Sequence, residues 1–400
     1  MSGPNQIEPE QEAALTAKKG NDVAFLLIAA ACALGVIFTS LFLSILPFRR
    51  DIVARRDYIV YWATGRQLAR HANPYDPDAV NRLEHDAGFQ GAASYYMRNT
   101  PWALPLALPL GYFNSTSAAL PWSLLMLGLL IASVRIAWRL FGAPSGHLEW
   151  IGYCFPPALF CVLLGQTSIF LLLGLVLFLR LHKTHPFGAG AALWLCTLKP
   201  HLFLPFGLVL LVWIVVTRSY RILAGGVAAM AADSLITACI DPEAWTQYTH
   251  YMRASGITRE FTANLGNVLR DSIYPAAEWL AFVPAILGCI WALFYFWPRR
   301  HQWDWLENGS LLMLVSIFVA PFGWIFDQSL AVPAILYAVS RTSSRTLLSI
   351  LALIFIAVEI ELINFDPHSA AYLWTAPAWL VWYLFARISA RRVPAQSIVV

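Results

Sequence analysis

The chain has 400 residues, 58% of them hydrophobic and 12% charged, with a mean hydropathy of +0.59 and 17 tryptophans. These values exclude an ordinary soluble domain and require a polytopic membrane protein. The formal net charge is only +4, and the basic residues are spread over many short loops, which excludes a nucleic-acid partner. The six cysteines lie in apolar runs with no metal-ligand spacing, so neither a metal nor a disulfide framework is expected.

Residues 1–22 are polar, carry Glu8, Glu10 and Glu12, and read as a disordered cytoplasmic tail. Apolar segments follow at 23–46, 117–140, 151–164, 168–181, 187–198, 201–217, 221–240, 277–297, 308–320, 329–340, 346–363 and 371–388. This predicts one all-α domain over 23–390 with about 12 transmembrane or half-membrane helices, closed by a cytoplasmic tail at 391–400. Several segments are short, because 14 residues at about 1.5 Å each reach only ~21 Å of a hydrocarbon core of ~30 Å.

The first outer loop, 48–116, is patterned. From Asp57 to Arg70, Tyr58, Tyr61, Trp62, Gly65, Leu68 and Ala69 share one helical face, which suits an amphipathic helix lying in the interface. Asn73-Pro74-Tyr75-Asp76-Pro77 predicts a turn with Asp76 capping a second helix. Thr100–Phe113, broken by Pro101, Pro105 and Pro109, suits an interfacial or re-entrant segment. A second outer loop covers 241–276.

Three pairs of short segments are broken by Gly165-Gln166-Thr167, by Lys199-Pro200-His201 and by Phe322–Gln328. If each pair is a hairpin, one face collects Lys18, Lys19, Arg135, Arg139, Arg180, Lys183, Arg218, Arg221, Arg299, Arg300, Arg341, Arg345, Arg387, Arg391 and Arg392. Short loops rich in Lys and Arg stay cytoplasmic, so the hairpin reading puts both termini inside and all three breaks outside. Arg49, Arg50, Arg55 and Arg56 then face outward against the rule.

Asp57-Tyr58-Ile59-Val60-Tyr61-Trp62, Asn73-Pro74-Tyr75-Asp76, Gly165-Gln166, Lys199-Pro200 and Pro321-Phe322-Gly323-Trp324 with Asp327-Gln328, in that order, resemble glycosyltransferase family 87. The resemblance implies the multi-span C-type glycosyltransferase fold in a cell (inner) membrane, with an extracytoplasmic active site. It also implies a polyprenyl-phosphate sugar donor, commonly of mannose, and a glycolipid or glycan acceptor.

An inverting transfer needs a carboxylate to take the proton of the acceptor hydroxyl, and Asp57 is the position the resemblance assigns to that base. Its bland alternative is a helix N-cap. Lys199 stands between two apolar halves, where a fixed cation can neutralise a leaving phosphate without a divalent ion; otherwise it is an interfacial lysine reaching water. His201 assists or orients it. Gln166 contacts the donor or pairs backbone groups at a hairpin tip. Asp327 and Gln328 shape the donor pocket, with Trp324 as a sugar platform or an interfacial anchor. The alternative function is a lipid-linked substrate transporter or flippase, since transporters also use broken helices. Against it stand the missing inverted repeat and the placing of the patterned loops on one face.

Overall fold

The computed structural model describes residues 9–91, 95–144, 147–256 and 260–392. Among them every regular element is helical. Helix α1 (Pro9–Ile45) starts well before the apolar run, so of the stretch expected as a disordered tail only residues 1–8 lie outside the described residues. Proline at the first position followed by Glu, Gln, Ala, Leu and Lys gives a helix start and strong formers. Of the expected C-terminal tail, residues 393–400 lie outside them as well.

The segment after α1 holds α2 (Arg50–Ala54), α3 (Tyr58–Leu68) and α4 (Pro77–Asp86). Asp76 caps α4 as the turn predicts, its Oδ1 accepting from the amides of Asp78 (3.0 Å) and Ala79 (3.1 Å). Helix α3 departs from expectation. Rather than lying half-wet in the interface, it is buried on almost every side, from Tyr58 to Gly65 without a break. The proline-stepped stretch Pro101–Tyr112, containing α5 (Leu104–Ala107), packs directly on it.

Two glycines allow that contact. A Cβ on Gly111 would lie 2.0 Å from the Gly65 carbonyl oxygen, and one on Gly65 would lie 2.1 Å from that of Ala107. Backbone cannot yield as a side chain can. Gly111→Ala is therefore expected to lower the thermal unfolding temperature by several degrees, matching about 1–3 kcal/mol of overpacking, while Gly128→Ala, whose Cβ meets nothing within 4 Å, leaves it unchanged. Equal melting of both variants in detergent would show that the seam can open.

The bundle continues with α6 (Ser115–Leu140), α7 (Trp150–Tyr153), α8 (Pro156–Leu164), α9 (Ser168–Leu181), α10 (Pro186–Ala192), α11 (Leu204–Thr217) and α12 (Tyr220–Ile240). The segment after α12 carries α13 (Ala244–Ala254) and α14 (Leu265–Ile273). Then come α15 (Val283–Phe296), α16 (Trp305–Phe318), α17 (Val332–Val339), α18 (Arg345–Asn364) and α19 (Thr375–Arg392). Among the described residues, six apolar helical stretches are long enough to cross a membrane: 26–48, 115–140, 200–217, 220–240, 278–302 and 345–364. The helical pair 147–153 and 156–164, bent by 44°, is long and apolar enough only when taken together, and 168–181, 186–198, 305–318 and 325–339 are shorter apolar helices. The protein is an all-α, multi-pass membrane protein.

The contacts at the two ends of the bundle show how the broken pairs run. At one end, Lys183 after α9 meets Asp304 before α16 at 2.8 Å. Trp213 near the end of α11 packs on Trp305, and Tyr337 near the end of α17 packs on Phe141 after α6. Arg387 of α19 reaches Tyr295 of α15 at 3.3 Å. The breaks at Gly165–Thr167, Lys199 and Pro321–Trp324 gather at the other end, so each pair turns back there.

Local chemistry makes each turn. Gly165 has φ +74°, and the amide of Gln166 closes on the Cys161 carbonyl at 3.0 Å, the glycine-capped helix end. Lys199 has φ −141° and ψ 72°, an extended setting imposed by the following Pro200. Asn264 caps α14 by accepting from Asn267 N (2.9 Å) and donates to the Pro321 carbonyl (3.3 Å), fixing the start of α14 on the third break.

Arg50, Arg56 and Arg66 have partners in other elements. Arg50 donates to the Ala87 carbonyl at 2.9 Å and also reaches that of Asp86. Arg56 donates to the carbonyls of Leu163 and Val162 at the end of α8 and to Ser123 Oγ at 2.8 Å. Arg66 donates to the Gly111 carbonyl at 2.8 Å. Their charge pins the loops that surround the breaks.

Candidate active site

The site assembles where the three breaks meet the start of α3. Asp57 stands at the N-cap position of α3, yet its side chain makes no capping bond. Instead Oδ2 accepts from Gln166 Nε2 at 2.6 Å. The capping alternative for Asp57 thus has no support in the geometry.

Gln166 is bonded at both ends of its amide. Its Oε1 accepts from the Tyr61 hydroxyl at 3.0 Å and from Lys199 Nζ at 3.3 Å. Lys199, 7% exposed, also donates to Ser168 Oγ at 3.1 Å and to Asp327 Oδ1 at 2.7 Å. Its three N–H groups are therefore all used. The ammonium also lies 4.8 Å from the Phe326 ring centroid and 6.0 Å from that of Trp324.

Asp327, 1% exposed, accepts from Ser168 Oγ as well, while its Oδ2 accepts from the Trp324 amide at 3.0 Å. A carboxylate in the first turn of the helix over 325–339 suits the helix N-terminus. The Lys199–Asp327 ion pair is buried and bonded on every side, the condition under which such a pair persists. Asn99 completes the wall. Its Oδ1 lies 3.3 Å from the Tyr61 hydroxyl, and its Nδ2 donates to Thr167 Oγ1 and the Leu198 carbonyl, each at 3.3 Å.

Burial pushes the Asp57 carboxyl above its ordinary range; the Gln166 hydrogen bond, Lys199 and His368 pull the other way without cancelling it. The group remains partly exposed, so a substrate can reach it. A raised carboxyl with a fixed hydrogen-bond donor is a stronger base than a free aspartate.

The remaining sequence candidates differ in their engagement. The Trp324 ring stacks on Phe326 and meets His368 edge-on, lining a cavity of about 320 Å³ together with Asn264, Gly323 and Asp327. Gln328 lines the same cavity, but its amide is committed to α19: Nε2 donates to Thr375 Oγ1 (2.7 Å) and Oε1 accepts from Trp379 (2.8 Å). Its polar atoms hold the wall of the pocket. His201 faces Phe322 at 6.0 Å between ring centroids, and its Nε2 has no hydrogen-bond partner among the described residues. It stands beside the Lys199–Asp327 pair without bonding to it.

Sequence reasoning missed Ser168, Asn99 and His368. Ser168 was within reach, as the next polar residue after Gly165-Gln166-Thr167 at a break already suspected. Asn99 carries no local signal, since its partners lie far along the chain; His368 pairs with Asp366 two residues away, and only its edge-on contact with Trp324 brings it to the site.

The site thus holds one exposed-edge carboxylate and one buried ammonium, joined by an amide, at the mouth of a membrane bundle. A search of curated proteins and one of solved structures return no significant match. The family model "Glycosyltransferase family 87" matches residues 96–321, more than half of the chain, taking in Gln166, Ser168 and Lys199 and lying between Asp57 and Asp327. The chain belongs to glycosyltransferase family 87 and is a membrane glycosyltransferase.

Proposed function

We propose that the protein transfers a hexose, mannose, from a polyprenyl-phosphate sugar to a glycolipid or glycan acceptor on the extracytoplasmic side of a cell (inner) membrane, with inversion at the anomeric carbon. The observation that carries this reading is the Gln166 amide bridging Asp57 to Lys199. In this reading Asp57 takes the acceptor hydroxyl's proton as that oxygen attacks the sugar, and Lys199 receives the charge developing on the leaving phosphate. Because the ammonium is already shared, a phosphate oxygen replaces its longest contact, to Gln166 at 3.3 Å, while Asp327 and Ser168 keep it in place. His201 and Trp324 border the phosphate and sugar; Asp327 holds the lysine, and Gln328 holds the wall. Side assignment rests on charge: Lys183, Arg299, Arg341 and Arg387 stand at the opposite end of the bundle.

The test is transfer from labelled polyprenyl-phosphate mannose in membranes containing the wild-type protein, with GDP-mannose as the competing donor. Product from the lipid donor alone is expected; product from the nucleotide alone would overturn the donor assignment. The pH dependence gives a second check. Since the carboxyl of Asp57 titrates above the ordinary carboxylate range, kcat/KM is expected to fall on acidification with a midpoint above about pH 4, as the base takes up a proton. A rate unchanged down to pH 4 would remove a raised carboxylate from the rate law.

A further inference from the structure

A groove of about 500 Å³ opens sideways from the bundle between α1, α8 and α18, away from the Trp324 cavity. Leu159, Leu163 and Ile360 give it an apolar wall, and the exposed Leu34, Ile37 and Leu41 continue that wall toward the bilayer. Its upper end is formed by Arg55 and Arg56, the two residues before Asp57.

Besides Arg55, three polar side chains interrupt this apolar lining, and each has atoms with no hydrogen-bond partner among the described residues. Arg56 is 2% exposed, and its Nη1 is unpartnered although its other nitrogens are bonded. Thr39 is 6% exposed, and its hydroxyl is unpartnered. Glu359 has two buried carboxyl oxygens, both unpartnered. Buried polar groups are nearly always bonded, and each one left alone costs about 1–3 kcal/mol. Three around one groove point to a ligand that supplies the bonds.

Their depths describe that ligand. The Arg56 guanidinium carbon is 5.5 Å from the Phe42 ring. Along α1, Thr39 lies about 4.5 Å below Phe42, and Gly35 about 10 Å below it, at 1.5 Å per residue. A Cβ on Gly35 would be 3.2 Å from Glu359 Oε1, so Glu359 belongs to that deeper level. An isoprenoid chain offers nothing to hydrogen-bond below its phosphate and would leave Thr39 and Glu359 as they are. A phosphoglycerolipid carries ester carbonyls about one helical turn below its phosphate, between the levels of Thr39 and Glu359; a threonine hydroxyl or a protonated carboxyl can donate to them.

We propose that this groove seats the acyl-glycerol part of a phosphate-bearing acceptor lipid, with its phosphate at Arg55 and Arg56, its esters at Thr39 and Glu359, and its glycan extended to Asp57. The donor lipid then enters from the Trp324 and Asp327 side. The role as acceptor rests on the transferase reading above; the lipid seat itself does not.

The experiment is native mass spectrometry of the full-length protein released from nanodiscs that contain phosphatidylglycerol and undecaprenyl phosphate in equal amounts. One retained phosphatidylglycerol is expected. Its retention should fall about fivefold, near 1 kcal/mol, when the exposed groove wall is filled by Ile360→Trp, and again in the Arg55→Gln/Thr39→Val double variant, neither of which disturbs a buried contact of Arg56. Preferred retention of undecaprenyl phosphate, no retained lipid, or equal retention in all three proteins would overturn the proposal. Because the lipid is counted without any sugar transfer, intact retention with no transfer would speak against the function and leave the groove standing.

Discussion

Asp57→Asn is expected to lower sugar transfer by about 10²–10⁴-fold, the usual worth of a positioned general base, with the protein present in membranes at wild-type level. Asparagine keeps the shape, and its carbonyl can still accept the Gln166 Nε2 that now reaches Oδ2 at 2.6 Å. What it loses is the capacity to hold a proton. The expected loss corresponds to about 2.7–5.5 kcal/mol in the barrier, well above the contribution of the hydrogen bond that is retained. The comparison is made with labelled donor at matched expression, and undiminished product from the variant would exclude Asp57 from the reaction.

The second large effect is on stability. Lys199→Met leaves Asp327 at 1% exposure with its charge uncompensated, and removal of one partner from a buried ion pair costs about 3–5 kcal/mol. Thermal unfolding in detergent should therefore show a clear drop for the single variant. Lys199→Met/Asp327→Asn should recover much of it, because the asparagine needs no counterion and can still accept from the Trp324 amide as Asp327 does at 3.0 Å. Transfer should stay absent in both, since neither supplies a cation for the phosphate. Wild-type melting of the single variant would mean that Asp327 is not held as an ion in the folded protein.

Much of the architecture was legible from composition and periodicity, because a bilayer imposes long apolar runs and cytoplasmic loops attract Arg and Lys. The three breaks could be found for a similar reason: Gly165, Pro200 and Pro321–Gly323 cannot continue a helix, and polar residues beside them stand out from their surroundings. Asp76 was readable as a cap because both its partners lie within three residues.

The connection of Asp57 to Gln166 was not readable, being a contact over 109 positions with no local trace. The burial of α3 was missed on similar grounds. Its helical face pattern was seen, but the lid over its other side comes from Pro101–Tyr112, and only the matching glycines Gly65 and Gly111 hint at that approach. Of Arg49, Arg50, Arg55 and Arg56, anomalous as charge, two make sense as ties: Arg50 and Arg56 hold carbonyls at the ends of other helices.

The bridging amide has unlike ends. Gln166 offers hydrogens toward Asp57 and lone pairs toward Lys199, and the Tyr61 hydroxyl on its oxygen locks it against rotation by half a turn. The bridge therefore has a direction, with a carboxylate at its donor end and an ammonium at its acceptor end. In the proposed transfer, the acceptor hydroxyl and the leaving phosphate would be drawn to different ends of this one side chain, the separation that an inverting displacement requires.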